Sequence, residues 1–155
     1  MKYIPYVNIK MGTKSIPRRS YGNALPLTQI PFGMAPFCIQ TESRPGWFYH
    51  PEHECAEGVR LTHQPSPWIN DYGQFAIMPV TKGPVFDEDA RASWYSHKVE
   101  KAKPYYYSAY LAEYDVVTEM APTERAVKFR MTYPERDMSY LVIDGFDEGS
   151  YVKVI

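Results

Sequence analysis

Hydrophobic and polar residues alternate most regularly in the last third of the chain. Tyrosine, alanine and leucine occupy every second position of residues 105–112. In residues 127–131, Val127, Phe129 and Met131 alternate with lysine and arginine, which predicts a strand with one buried and one solvated face. Residues 140–143 are apolar throughout and predict a strand buried on both faces. Residues 151–155 predict one more strand, with no turn after it.

The first two thirds are interrupted by proline. Eleven of the 14 prolines precede residue 100, and proline stops a helix and removes a ladder donor. We predict short strands near residues 3–7, 34–40 and 74–79, separated by turns. Long helical periodicity is missing from the sequence, so it predicts a mainly β protein, an antiparallel β-sandwich. Residues 1–155 would form one such domain or most of one, and the unfinished final strand indicates a truncated sandwich.

Composition and net charge limit the classes of partner that the chain is expected to bind. The chain is 45% hydrophobic with a net charge of −1, which gives no field to gather phosphates, so nucleic acid is not expected as a partner. No apolar run approaches the roughly 20 residues that span a bilayer, and no signal peptide follows the N-terminal lysine. An exported natural product would therefore carry its signal outside this chain. The two cysteines, Cys38 and Cys55, neither establish nor exclude a disulfide.

The chain is rich in aromatic residues, with 14 Tyr, 7 Phe and 3 Trp. Tyrosine favours strands and half-buried surfaces, so one interpretation is a β protein with tyrosine on its sheets. The other is a surface suited to sugars, whose C–H faces stack on rings while their hydroxyls bind polar groups. Strand preference alone accounts for much of the excess, which favours the first interpretation.

Residues 50–57 concentrate possible metal ligands. The set comprises His50, Glu52, His53, Glu54, Cys55 and Glu57. Zinc sites usually combine two short ligand pairs, whereas this stretch has one His-x-x-His and a lone cysteine. We therefore favour a solvated polar turn opened by Pro51, and assign no metal ligand to the chain.

Two loops carry candidate binding residues. In residues 62–73, two prolines stiffen a segment that presents Trp68, Asn70 and Asp71. A pre-ordered ring beside a carboxylate suits a polyol. Taken alone, however, the segment favours Trp68 as a core residue and Asn70-Asp71 as an ordinary turn, because tryptophan is usually well buried. In residues 30–34, a proline and a glycine flank Phe32 and predict a chain reversal.

Several motifs together resemble glycoside hydrolase family 92. They are Tyr6-Val7-Asn8 with Gly12-Thr13, Ile30-Pro31-Phe32-Gly33-Met34, Gly58 to His63, Asn70-Asp71-Tyr72-Gly73, Met78-Pro79, Tyr95-Ser96-His97 with Glu100 and Pro104-Tyr105-Tyr106, and Thr123-Glu124-Arg125 with Tyr133-Pro134. They follow the family's order over nearly the whole chain. Any one motif is weak, whereas the ordered series is fairly specific.

The resemblance implies part of a secreted or periplasmic, calcium-dependent, inverting exo-α-mannosidase. Such an enzyme removes terminal α-linked mannose, α-1,2-linked above all, from glycans. An N-terminal β-sandwich packs with a helical (α/α) barrel that this chain lacks. The barrel would hold the catalytic carboxylates and most calcium ligands, so the isolated chain is expected to be inactive.

Residue by residue, the resemblance implies a substrate-binding set in the sandwich. Phe32 and Gly33 would form pocket wall, Trp68 an aromatic platform and Asp71 a hydroxyl acceptor. Arg60 and His63 would lie nearby.

This sequence departs from the family pattern at three places. Residues 9–11 read Ile-Lys-Met instead of Pro-Phe-Ile, Gln74 replaces a common acidic residue, and residues 64–68 replace a glycine-rich stretch. These changes leave linkage preference open. Two other readings stay open: a non-catalytic carbohydrate-binding module, and a structural sandwich whose tyrosine-rich face packs another domain.

Overall fold

The computed structural model describes residues 3–14, 16, 18, 24–42, 47–62, 75–146, 151–153 and 155. The fold is mainly antiparallel β, as predicted. One short 3-10 helix spans Ile4–Tyr6. The strands are β1 Phe37–Gln40, β2 Cys55–Ala56, β3 Gly58–Leu61, β4 Ala76–Thr81, β5 Ser93–Trp94, β6 Lys101–Lys103, β7 Tyr106–Leu111, β8 Val116–Pro122, β9 Val127–Thr132 and β10 Ser139–Asp144.

Four consecutive strands form the hairpin sheet, in the order β6-β7-β8-β9. Alternation decides which face is inside: Tyr107, Ala109 and Leu111 of β7 are buried, and they lie opposite Met120, Thr118 and Val116 of β8. Because side chains on a strand point alternately to opposite faces, these six share one side of the sheet. The alternation predicted for residues 105–112 and 127–131 is confirmed.

The other four-stranded sheet, the crossover sheet, has the order β1-β3-β4-β10. Its outer strand β10 pairs with β4 along its whole length, from Ser139 opposite Thr81 to Asp144 opposite Ala76. On its other side β4 pairs with β3 only through Ala76 and Ile77. Pro79 lies beyond that short pairing, where a missing N–H breaks no bond to β3. A small separate ladder joins β2 to β5.

The two four-stranded sheets pack face to face around one core. A small gap between them is lined by Ile39, Ala56, Gly58, Val59, Met78 and Pro79 from one side and Tyr107, Ala109, Leu111 and Thr118 from the other. Phe37 of β1 meets Phe129 of β9 edge to face, with ring centroids 5.0 Å apart. Such contacts are typical of aromatic pairs in cores. The chain is thus built as a β-sandwich.

One guanidinium lies entirely inside this core. Arg91 has no exposed surface, and its Nε donates to the Glu57 carbonyl at 2.8 Å. Its Nη1 donates to the Phe86 carbonyl at 2.9 Å and to Oδ2 of Asp144 at 2.5 Å. A buried charge is tolerated only when paired and hydrogen-bonded. Arg91 therefore fastens the end of β10 to the segment before β3.

In the described residues, two strand predictions and one burial prediction from the sequence are wrong. Residues 3–7 hold the 3-10 helix, because Pro5 occupies its first turn and fixes a helical φ. Strand β10 is not buried on both faces: Leu141 is 49% and Ile143 47% exposed, since β10 lies at a sheet edge. Residues 151–153 and 155 form no strand and are exposed.

Both cysteines are free thiols in this structure, Cys38 buried and Cys55 exposed. In the described part of the chain, no helix has the length and apolar character needed to cross a membrane.

Candidate functional site

The predicted chain reversal at residues 30–34 is present and displays Phe32. The Gly33 N–H donates to the Ile30 carbonyl at 2.9 Å and closes the turn. Phe32 has a positive φ of 62° and its side chain is completely exposed. Left-handed backbone costs a bulky residue free energy, and an exposed ring recovers none of it by burial. The turn thus presents a ring outward at a cost to stability.

A second loop holds this turn in place. The Met34 N–H donates to the Glu124 carbonyl at 2.6 Å, and a Cβ on Gly33 would lie 3.0 Å from the Ile30 carbonyl oxygen. The Glu124 loop is itself closed by Thr123, whose Oγ1 donates to the Ala126 carbonyl at 3.0 Å. Two motifs some ninety residues apart in sequence therefore form one surface, next to the β8–β9 turn.

Arg60 of β3 contacts two aromatic rings. Its guanidinium carbon is 4.8 Å from the Phe48 ring centroid and 4.1 Å from that of Phe146. Both rings hold the guanidinium by cation–π attraction. Phe146 has a positive φ of 55°, so this ring, like that of Phe32, is carried by strained backbone. The two ring contacts fix the orientation of the Arg60 side chain, which a binding residue requires.

A buried carboxylate joins two further motifs. The Glu100 side chain is 1% exposed and accepts hydrogen bonds from Lys10 Nζ, from His97 Nδ1 at 2.9 Å and from the Tyr107 hydroxyl at 2.7 Å. A buried anion with three donors is well satisfied. Glu100 therefore fixes the N-terminal segment, through Lys10, against the hairpin sheet.

His97 connects two segments through its ring nitrogens. Its Nε2 lies 3.0 Å from the His53 carbonyl oxygen, which can only accept, so Nε2 donates to it. Its Nδ1 lies 2.9 Å from Oε2 of Glu100 and 3.4 Å from Lys10 Nζ. Burial raises the pKa of the Tyr107 hydroxyl well above its usual range, and the Glu100 charge raises it further. Tyr107 hence stays a neutral donor.

Three predicted binding residues, His63, Trp68 and Asp71, lie outside the described residues, which stop at 62 and resume at 75. The hypothesis that Trp68 and Asp71 meet a sugar stays a prediction. Among the described members of the predicted set, Phe32 and Gly33 share one turn, while Arg60 lies on β3.

Among the residues that the structure describes, one group of three could hold a metal ion, namely Glu42, His50 and His53. Two imidazoles and one carboxylate do not match calcium, which takes six to eight oxygen ligands. This group of three is therefore not a calcium site.

Comparison with protein families finds one match across most of the chain. Residues 6–154 match the glycosyl hydrolase family 92 N-terminal domain. The chain belongs to this family. In this family 92 N-terminal domain, the Phe32 turn contacts the Thr123 loop, and Lys10 pairs with Glu100.

Solved family 92 structures have the same fold. A family 92 inverting mannosidase from Bacteroides thetaiotaomicron is 39% identical, with a TM-score of 0.81, over 91% of this chain and 19% of its own. A family 92 α-mannosidase from the same organism is 35% identical, with a TM-score of 0.81, over 94% of this chain and 20% of its own. The chain thus spans about a fifth of these structures. Comparison with curated proteins gives no match.

The Glu100 network was not predicted as a site. His97 and Glu100 were noted only as parts of a motif, and their spacing of three residues was the one signal that they meet. Lys10 gave no signal, since it departs from the family pattern. Only the fold brings these three side chains together.

Proposed function

We propose that this domain is the N-terminal part of an inverting exo-α-mannosidase that removes terminal α-linked mannose, preferentially α-1,2-linked, from glycans. The parent would be secreted or periplasmic. The chain itself would supply loops to the sugar pocket and carry no catalytic carboxylate.

The observation that carries this proposal is the 39% identity to an inverting mannosidase over 91% of the chain. The exposed Phe32 adds support, since a strained turn that displays an aromatic ring suits a surface completed by a partner. That partner would be the helical barrel domain, with the sugar bound at the seam.

The inverting reaction decides which groups the barrel and this chain would each supply. An inverting glycosidase needs an acid and a base roughly 6.5–9.5 Å apart, with a water between base and sugar. Both groups would belong to the barrel. From this chain, Phe32 and Gly33 would form pocket wall, Trp68 would stack on the hexose, and Asp71 would accept from its hydroxyls. Arg60 and His63 would lie beside them.

Calcium dependence is part of the proposal for the parent enzyme. When bound, calcium would orient sugar hydroxyls, with its ligands mainly in the barrel. Chelation should abolish hydrolysis by the parent, and added calcium should restore it.

The decisive experiment uses the full-length parent and a panel of α-linked mannobioses. NMR of the first product should show β-mannose released, fastest from the α-1,2 isomer. Release of α-mannose would refute inversion, and no hydrolysis of any mannoside would refute the assignment. The 155-residue chain assayed alone should show no turnover.

A tryptophan pair tests the pocket. Trp68→Ala in the parent should lower kcat/KM by about a hundredfold, because loss of the platform misplaces the hexose. Trp94→Ala is the matched control, since Trp94 lies on β5 and its Nε1 contacts Glu54 at 3.4 Å. Equal activity of the two variants would remove Trp68 from the site.

Exposed rings also favour a second candidate, a carbohydrate-binding module without catalysis. Phe32, Phe86 and Tyr105 are at least half exposed. In that case, titration calorimetry of the isolated chain should detect mannose or mannobiose binding that Phe32→Ala weakens. A chain that binds sugar, from a parent without mannosidase activity, would favour this candidate.

A further inference from the structure

A carboxylate and two imidazoles converge where β1 ends. Glu42 follows β1 by two residues, and His50 and His53 flank the turn that Pro51 opens. One ligand atom from each of the three lies within 4.8 Å of the other two. The imidazole rings are stacked, with centroids 4.5 Å apart and planes 28° from parallel.

Two acceptor oxygens lie beside the His53 ring. Its Nδ1 is 3.1 Å from the Thr41 carbonyl oxygen and 3.4 Å from Oε1 of Glu42. Both oxygens attract a cation to the space next to the ring. Nδ1 of His50 accepts a long 3.3 Å hydrogen bond from the Glu52 N–H. A metal ion can replace so weak a bond at little cost.

Hydrogen bonds also hold the backbone of the turn at residues 50–53. The Thr41 Oγ1 accepts from the His50 N–H at 2.8 Å, and the His53 N–H donates to the His50 carbonyl at 3.2 Å. His97 holds the His53 carbonyl at 3.0 Å. The backbone of His50 and His53 is therefore held by hydrogen bonds, which reduces the ordering that a bound ion would have to impose.

We propose that Glu42, His50 and His53 bind one divalent transition-metal ion of the zinc class, with water completing its coordination. The ion would tie the end of β1 to the turn at residues 50–53 and act as a structural clamp.

Ligand chemistry selects the ion. Two imidazole nitrogens and one carboxylate oxygen are a known zinc donor set, whereas calcium and magnesium take oxygen. With bonds of about 2.0–2.2 Å, tetrahedral zinc holds its ligand atoms about 3.3 Å apart. Contraction from separations of at most 4.8 Å needs side-chain rotation alone. All three residues are partly exposed, so an ion can reach them.

The test is a zinc titration of the metal-free 155-residue chain against a chromophoric chelator. One equivalent should bind, and cobalt should give the visible absorption of a four-coordinate site, whereas calcium should not compete. Glu42→Gln, His50→Asn and His53→Asn should each weaken zinc binding at least tenfold.

Matched controls separate this site from chance contacts. Glu52→Gln removes an exposed carboxylate between the same two histidines, one that pairs with Lys14, and should leave affinity unchanged. Cys55→Ser removes the exposed thiol nearby and should also have no effect. Imidazole NMR signals of the wild-type chain should show zinc-dependent shifts at His50 and His53, which requires no variant to fold.

Three outcomes would overturn the proposal. They are no stoichiometric zinc binding, affinity that survives loss of either histidine, and affinity that disappears in Cys55→Ser. None of these readouts involves sugar hydrolysis, so the result is independent of the proposed mannosidase function.

Discussion

The hairpin sheet and the crossover sheet are held in different ways. In the hairpin sheet, β6 to β9 follow one another, and strands that are consecutive in sequence pair with each other. In the crossover sheet, β10 pairs with β4 across 57 intervening residues, between Thr81 and Ser139. Local pairing costs little loop entropy, whereas distant pairing needs compensation.

A buried polar group contributes to that compensation. Arg91 links Asp144 of β10 to the backbone of Glu57, just before β3, and to that of Phe86. In the hairpin sheet, the apolar alternation of β7 and β8 places the buried side chains on one face. We conclude that apolar pattern decides the packing of the hairpin sheet, whereas a buried guanidinium also ties together segments of the crossover sheet.

Removal of the Arg91 guanidinium should have the largest effect. Arg91→Ala should destabilise the domain by about 4 kcal/mol, because Oδ2 of Asp144 and the Glu57 and Phe86 carbonyls lose the donor that the buried guanidinium supplies. Urea unfolding measures the loss. Amide exchange should accelerate in β10 and β4 first, and an unchanged urea midpoint would contradict the fastening role.

Arg91→Lys sharpens this test. Lysine keeps the charge but cannot reproduce the fork of donors that reaches Asp144 and both carbonyls. Its stability should fall between those of the wild type and Arg91→Ala.

A cavity in the hairpin sheet should cost less. Met120 of β8 is 1% exposed, and Met120→Ala should destabilise the domain by about 3 kcal/mol through lost burial and the void left behind. Met120→Leu conserves volume and should cost under about 1.5 kcal/mol. Equal midpoints for both variants would mean that the core collapses around the void.

The charge of Glu100 should matter somewhat less still. Glu100→Gln keeps the shape but weakens acceptance from Lys10, His97 and Tyr107, and should cost about 2 kcal/mol. Exchange at residues 8–13 should rise more than in the hairpin sheet. The control is Glu135→Gln on an exposed loop, expected within about 0.5 kcal/mol of wild type.

The smallest effect should have the opposite sign. Phe32→Gly removes a left-handed aromatic residue and should stabilise the isolated chain by about 1 kcal/mol. In the full-length parent the same change should lower mannoside turnover, because the turn loses its ring. A stabilised chain together with full activity in the parent would show that the Phe32 ring has no part in mannoside turnover.

The sequence located strands in both sheets. In the hairpin sheet it predicted β7 and β9, whose alternation matches their burial, but neither β6 nor β8. Residues 140–143 were correctly predicted as a strand, but their burial was not, because an apolar run carries no information on whether its strand lies in the middle or at the edge of a sheet. Residues 3–7 were predicted as a strand because they are mostly apolar and aromatic. That prediction neglected Pro5, whose φ suits the first turn of a helix.

The candidate site was less accessible to sequence reasoning. The His50–His53 pair was noticed, but Glu42 lies eight residues upstream, and only the folded segment brings it to them. The Phe32 turn was predicted from its proline and glycine, whereas its anchoring on Glu124 was not. Contacts between distant segments leave no local signal in one sequence.

The contrast between the two cysteines has a practical consequence. Burial raises the pKa of the Cys38 thiol well above its usual range, and the Glu100 charge raises it further, so it resists alkylation. Cys55 is exposed and reacts from the native state. One maleimide labelling experiment therefore reports two rates. The labelling rate of Cys55 measures access to the native surface, and that of Cys38 measures how often the core opens.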